Sequence, residues 1–332
     1  MKKIQTSCLI IIFLFACSSQ FYAMNCKQLS HYDGRVWSVT FSPSGKYFAA
    51  SSAETRLTIY DKSFNVLFQT DDLIKEVSAI EFSPDEKYLA IPKYKNETDV
   101  GLIDLNHFQV YHILSGHTDW VTCVDFSSDG MIVATGSDDK SVRTWKRIGQ
   151  SFMFHQLISG HGGSIANLCF SQNSQFLAVC GNNIIRIYKK AYDQYILYQT
   201  ITTDARFVNG LAFNPKDHSL AIGTYDGTIL IYQNKGSQFI LKHQKQAHQK
   251  MVHSIDFTPD GQYMATGSWD SQICLWGQLQ SNLLKMGQLT GHKKQVYDIA
   301  FHPDGQCLAS GSEDNTVLIW DIQLNHKGML EK

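Results

Sequence analysis

His, Ser or Thr, and Asp recur together along this chain of 332 residues. These are the residue types of a nucleophile triad, in which a hydroxyl attacks, an imidazole takes its proton and a carboxylate orients the imidazole. A catalytic triad is needed once. Here the grouping returns in unit after unit, so we read it as architecture. The 13 His residues form no H-E-x-x-H pair, and no glycine-rich phosphate loop occurs. His243 and His248 share a polar stretch without metal-ligand spacing. Eight Cys are present, but no C-x-x-C and no zinc spacing. No cofactor or metal is expected. A pI near 6.9 lacks the basic excess of a nucleic-acid binder.

The elements that carry these residues are strands. The motif apolar-x-x-apolar-x-Phe, followed by a turn, starts at Val36, Val77, Val121, Ile165, Val208, Val252 and Val296. Its Phe residues are Phe41, Phe82, Phe126, Phe170, Phe213, Phe257 and Phe301, spaced by 41, 44, 44, 43, 44 and 44. Each unit reads as a buried strand, a turn such as Thr258-Pro259-Asp260-Gly261, a second strand, a polar turn, and a third strand ending in an aromatic or apolar residue. A looser fourth strand follows. Four strands in 40–45 residues is the blade of a β-propeller. The composition agrees: 43% hydrophobic, 18% charged, 23 Gly and only 6 Pro. The fold expected is all-β, a single seven-bladed propeller of four-stranded antiparallel blades. Lys27-Gln28-Leu29-Ser30 matches Gly287-Gln288-Leu289-Thr290, so the N-terminal strand should close the ring as the outer strand of blade seven.

Gly116-His117, Gly160-His161 and Gly291-His292 precede inner strands, and Ala247-His248 is a near match. Trp145, Trp276 and Trp320 end third strands, with Trp320-Asp321 a literal Trp-Asp pair. Over residues 25–321 the chain resembles the WD-repeat propeller family. That resemblance implies buried tetrads: His117, Thr135, Asp139 and Trp145; His248, Thr266, Asp270 and Trp276; His292, Ser310, Asp314 and Trp320. Four blades depart from it. Blade four has Val179 in the hydroxyl slot and Tyr188 in the Trp slot. Blade five has Ile222 and no Gly-His. Blade one ends in Tyr60 and has Glu54 near the Asp slot. Blade two carries the polar insertion PKYKNETDVG, which includes the sequon Asn96-Glu97-Thr98.

The resemblance also implies a partner face, formed by the loops before the inner strands and between second and third strands. Trp37, Trp120, Phe207, Tyr225, His253, Trp269 and Tyr297 fall there, a grouping of the residue types where binding energy concentrates. The function expected is a non-enzymatic scaffold, monomeric, holding a protein or peptide partner on that face. The alternative is a propeller enzyme or carbohydrate-binding module using the same face, for which paired carboxylates would speak. Only scattered acids, Glu76, Asp138 and Glu313, fall there.

Residues 1–23 read as a signal peptide: Lys2 and Lys3, then an apolar run from Cys8 to Cys17 too short for a membrane span. Cleavage after Ala23 leaves a propeller over 24–332. The run Leu14-Phe15-Ala16-Cys17 resembles a bacterial lipoprotein signal, with Cys17 as the lipidated residue and the only tie to a membrane. The expected location is periplasmic or extracellular, the alternative being cytoplasmic with an uncleaved leader. Most of the remaining cysteines fall inside apolar strand patterns and read as small hydrophobes.

Overall fold

In a computed structural model, the chain forms seven four-stranded antiparallel sheets arranged as a ring. The structure describes residues 26–29, 32–53, 57–70, 77, 79–92, 96–279 and 282–322. The leader, with Cys17, and residues Glu54 and Glu76 lie outside them. Blade three is typical, with strands Val121–Phe126, Ile132–Ser137, Val142–Ile148 and Ser151–Ile158 running from the axis outward. Blade seven takes Val296–Phe301, Cys307–Ser312 and Val317–Asp321 from the C-terminal end and Cys26–Leu29 from the N-terminal end. Cys26 pairs with Trp320 and Leu29 with Val317. Closure by the N-terminal strand removes the free edge that an open ring would leave.

The core lies between neighbouring blades. Val36, Val39, Phe41 and Phe48 of blade one pack against Ala309, Val317 and Ile319 of blade seven. A glycine in the second strand makes room for this contact. A Cβ on Gly311 would meet Val36 Cγ1 at 2.7 Å, and one on Gly267 would meet Val296 Cγ1 at 3.0 Å. The same positions hold Ser51, Pro92 and Cys180 in blades one, two and four. Turns after the repeat Phe are tied locally. The Ser127 hydroxyl donates to Asp129 at 2.5 Å and accepts the Ile132 N–H at 2.9 Å. Side chains of this kind satisfy backbone groups that the turn takes out of the ladder.

Candidate functional site

Strand pairing sets the rim. Val252 pairs with Ser268 and Val296 with Ser312, so the residues just outside those pairs lie side by side at one end of each blade. One backbone hydrogen bond repeats there. Trp269 N–H donates to Met251 C=O at 3.0 Å, Glu313 to Gln295 at 2.9 Å, Tyr225 to Phe207 at 2.9 Å and Asp138 to Trp120 at 2.9 Å.

Five of the seven rim residues come together. Tyr225 meets Trp269 edge-on at 6.4 Å, and Trp269 stacks on His253 at 5.8 Å. His253 meets Tyr297 at 5.3 Å, and Tyr297 meets Trp37 at 4.5 Å. The chain of rings runs through blades five, six, seven and one. Arg206 caps Tyr225, and Arg35 caps Trp37. Burial lowers the pKa of His253 to about 4, so the ring is neutral and its Nδ1–H donates to the Tyr297 carbonyl at 2.5 Å. The indole N–H groups of Trp37 and Trp269 are buried and meet no acceptor in the described structure.

The other two rim residues sit differently. Phe207 lines the mouth of the central cavity. Trp120, 40% exposed, stands apart on blade three, and its indole N–H donates to Glu97 of the blade-two insertion at 2.6 Å. Tyr297, only 5% exposed, supports the rings on either side of it rather than facing solvent.

The cavity below the rim has a volume of about 670 Å³. Glu81, Asp125, Asp138, Asp256 and Asp298 line it, and among the described residues no Lys or Arg does. Three of these carboxylates tie blades together. Asp125 accepts the N–H of Phe170 at 2.7 Å, and Asp256 that of Phe301 at 2.6 Å. Asp298 accepts from the Ser38 hydroxyl at 2.8 Å, Val39 N–H at 3.0 Å and the Ser254 hydroxyl at 2.8 Å. Burial raises the pKa of Asp125 and Asp256 to about 7, and that of Glu81 well above its ordinary value. Sequence reasoning missed this ring. Its signal was an acid directly before the repeat Phe at positions 81, 125 and 256.

Beneath the rim, three blades hold a polar network. His117 Nε2 lies 2.8 Å from the Thr135 hydroxyl and its Nδ1 2.7 Å from Asp139. His248 makes the same contacts with Thr266 at 2.8 Å and Asp270 at 3.1 Å, and His292 with Ser310 at 2.7 Å and Asp314 at 3.0 Å. The Trp276 and Trp320 indoles donate to Thr266 at 3.0 Å and Ser310 at 2.7 Å. Trp145 meets the His117 ring at 6.1 Å. Each Asp also fixes the rim loop: Asp270 accepts the Gln249 N–H at 3.0 Å and Asp314 the Lys293 N–H at 2.8 Å.

Electrostatics differ between these networks. Burial disfavours the charged ring of His248, but Asp270 and Cys274 outweigh it and raise its pKa to about 9. The carboxyl of Asp270, despite its own burial, is lowered to about 2 by His248 and two backbone N–H groups. In blade three burial prevails and lowers the pKa of His117, with Arg143 adding to the effect against Asp139.

The thiols of Cys123 and Cys307 are held protonated. Burial raises the pKa of Cys123 and Cys307 to about 12. Among the described residues no three His, Cys, Asp or Glu side chains are grouped to hold a metal ion.

Comparison with known proteins agrees with this geometry. The model of the WD domain, G-beta repeat, matches residues 24–61, 108–146, 153–189, 196–233, 239–277 and 284–321. The chain belongs to the WD-repeat family. Each WD-repeat match begins on or beside an outer strand and ends with the third strand of the next blade. The first three strands of blade two fall outside all six. An uncharacterized WD repeat-containing protein of Synechocystis is 28% identical over 46% of this chain and 43% of its own length. A probable cytosolic iron-sulfur protein assembly protein 1 of Kluyveromyces lactis is 30% identical over 36% of this chain and 39% of its own. A pre-mRNA-processing factor 19 homolog of Arabidopsis thaliana is 28% identical over 49% and 30%. The chain thus spans less than half the length of these relatives. WD-repeat propellers typically serve as protein-interaction scaffolds.

Proposed function

We propose that this propeller is a non-enzymatic scaffold that holds a protein or peptide partner on the aromatic arc of blades five, six, seven and one. The observation that carries this reading is the unbroken contact from Tyr225 through Trp269, His253 and Tyr297 to Trp37. Large rings in rigid loops give contact area at low entropic cost. The two indole N–H groups without acceptors support it further. A buried donor left unpaired costs about 1–3 kcal/mol, which a partner carbonyl met after a small ring rotation would offset. Phe207 and Asp138 extend the surface to the cavity mouth, while Trp120 belongs to a separate polar site with Glu97.

The domain acts as a monomer outside the cytoplasm, delivered there by the leader over residues 1–23. Cleavage after Ala23 and lipidation at Cys17 are the two forms of that delivery. Intact mass of the protein from its own host separates them, and a mass beginning at Met1 refutes both. The binding proposal is tested by affinity capture from the same host with wild type and the Trp37→Ala/Trp269→Ala variant. A partner retained by wild type and lost by a folded variant supports the arc. A partner held equally by both places recognition elsewhere.

A further inference from the structure

Outer strands are edges, and an edge with free backbone groups recruits another strand. Two features close that route on the flank of this ring. First, six outer strands carry a bulge at the same point, opposite Ile59/Tyr60, Leu102/Ile103, Thr144/Trp145, Ile187/Tyr188, Ile231/Tyr232 and Leu275/Trp276. Second, a side-chain amide occupies one outward pair of backbone groups on the outer strands of blades four and five. Gln156 donates to Tyr195 C=O at 2.9 Å and accepts its N–H at 2.9 Å. Gln199 does the same to Phe239 at 2.9 and 2.7 Å.

The flank nonetheless displays apolar side chains in register. Met153–Phe154, Ile196–Leu197 and Ile240–Leu241 occupy the same two positions in three consecutive blades, each residue 43–57% exposed. Single exposed apolar residues are ordinary, but a repeated pair is a surface. Charge is segregated as well. None of the seven outer strands contains Asp or Glu, although the chain has 30 acidic residues. Lys245 and Lys285 stand exposed on the outer strands of blades five and six. At the tip of the neighbouring hairpin of blade four, Tyr192 is fully exposed, and the acid beside it, Asp193, is paired with Lys146 of blade three at 2.6 Å.

We propose that the flank of blades three to six docks on an anionic lipid bilayer. A bilayer needs no backbone hydrogen bond from its partner, which fits an edge already sealed by bulges and glutamine amides. It accepts shallow apolar side chains, favours Tyr at headgroup depth and attracts Lys where carboxylates are absent. This surface is separate from the aromatic arc and from any lipid at Cys17.

The test is flotation of the full chain with phosphatidylcholine vesicles, with and without phosphatidylglycerol, at low and high salt. Wild type should float only with the phosphatidylglycerol vesicles, and less so at high salt. Lys245→Gln/Lys285→Gln should weaken partition about thirtyfold, from about fivefold per lysine. Phe154→Ser/Leu197→Ser/Leu241→Ser should abolish it; if that variant does not fold, the lysine variant still decides. Four results overturn the proposal: no flotation on anionic vesicles, equal flotation on both kinds, flotation unchanged in the variants, or a wild-type dimer that the serine variant converts to monomer. The last would assign the flank to a second copy of the chain.

Discussion

Blades six and seven fill the same structural slots with a His–hydroxyl–Trp–Asp network that blades one, two and four fill in three other ways. In blade one, Tyr32 stands four residues before Val36, where His292 stands before Val296. Its hydroxyl meets that of Tyr60, the Trp counterpart, at 2.8 Å. In blade four, His161 lies between the Arg186 guanidinium at 3.2 Å and the Tyr188 hydroxyl at 3.1 Å, and burial with Arg186 lowers its pKa to about 4. Blade two uses Ile91 and Ile103, both buried. The ring itself therefore needs only shape at these slots. What the network adds is a fixed loop above it, because Asp270 and Asp314 hold backbone N–H groups of the rim as well as their His. The most aromatic stretch of the rim lies over those two blades.

The comparison breaks most readily at Asp314. Its carboxylate accepts from His292 Nδ1, Lys293 N–H at 2.8 Å, Thr316 N–H at 3.1 Å and the Thr316 hydroxyl at 2.5 Å. Asp314→Ala strands those donors, and urea unfolding should show a loss of about 3 kcal/mol. A loss below about 1 kcal/mol would make the network ornamental. Blade one offers the sharper contrast. Tyr32→Phe and Tyr60→Phe should each cost about 1 kcal/mol, and the double variant less than the sum, because either substitution alone already breaks the bond between the two hydroxyls. Additive losses would mean the two hydroxyls act independently.

Acidity distinguishes the blades again. His248, with a pKa raised to about 9, stabilises fully below its unfolded value near 6.5, and that contribution is lost as pH rises through 9. Asp125 and Asp256, raised to about 7, favour the folded state below about 4, and their contribution is lost as pH rises through 7. Asp270, lowered to about 2, acts the other way: its contribution is present above about 4 and lost as pH falls through 2. His161 and His253, each lowered to about 4, oppose the two buried Asp: their contribution is present above about 6.5 and lost as pH falls through 4. The two trends largely offset between about pH 4 and 6.5, so stability should fall mainly above that range, with Tm several degrees higher at pH 5 than at pH 9. Asp256→Asn should remove one downward contribution between pH 4 and 7, so that Tm over that range rises with pH relative to wild type. A Tm that climbs from pH 5 to 9 would reverse these assignments.

The smallest effect concerns the seam between blades five and six. His243 occupies the place that Gln156 and Gln199 hold in blades three and four. Its Nε2 is buried without a partner beside a cavity of about 40 Å³ that Leu283 also lines. His243→Gln should supply the missing amide to the Leu283 backbone and raise stability by about 1 kcal/mol. A lower Tm would show that the seams are not equivalent.

Much of this was legible in the residues themselves. Seven Phe-turn units gave the blade count, and Lys27-Gln28-Leu29 gave the closing strand, because period and strand length are local properties. Trp37, Tyr225, His253, Trp269 and Tyr297 are assigned to the rim by the family resemblance rather than by period. Depth and long-range partners are legible in neither. Tyr297 is buried by its neighbours from blades six and one, and Trp120 is claimed by Glu97 of an insertion whose path no repeat dictates. The channel carboxylates escaped because an acid in a strand usually marks its outer, solvent side, whereas here the inner strand faces the central cavity. The Tyr32–Tyr60 pair needed the closure of blade seven beside blade one to be seen.

The rim decides the account. The partner recovered by affinity capture should be titrated calorimetrically against Trp269→Ala and Trp120→Ala, two rings on opposite sides of the same repeated rim hydrogen bond. Trp269→Ala should weaken binding by about 2 kcal/mol, roughly thirtyfold, with Tm lowered by only a few degrees. Trp120→Ala, outside the arc, should stay within about threefold of wild type. The opposite ranking, with Trp120 essential and Trp269 dispensable, would contradict the arc as the recognition surface.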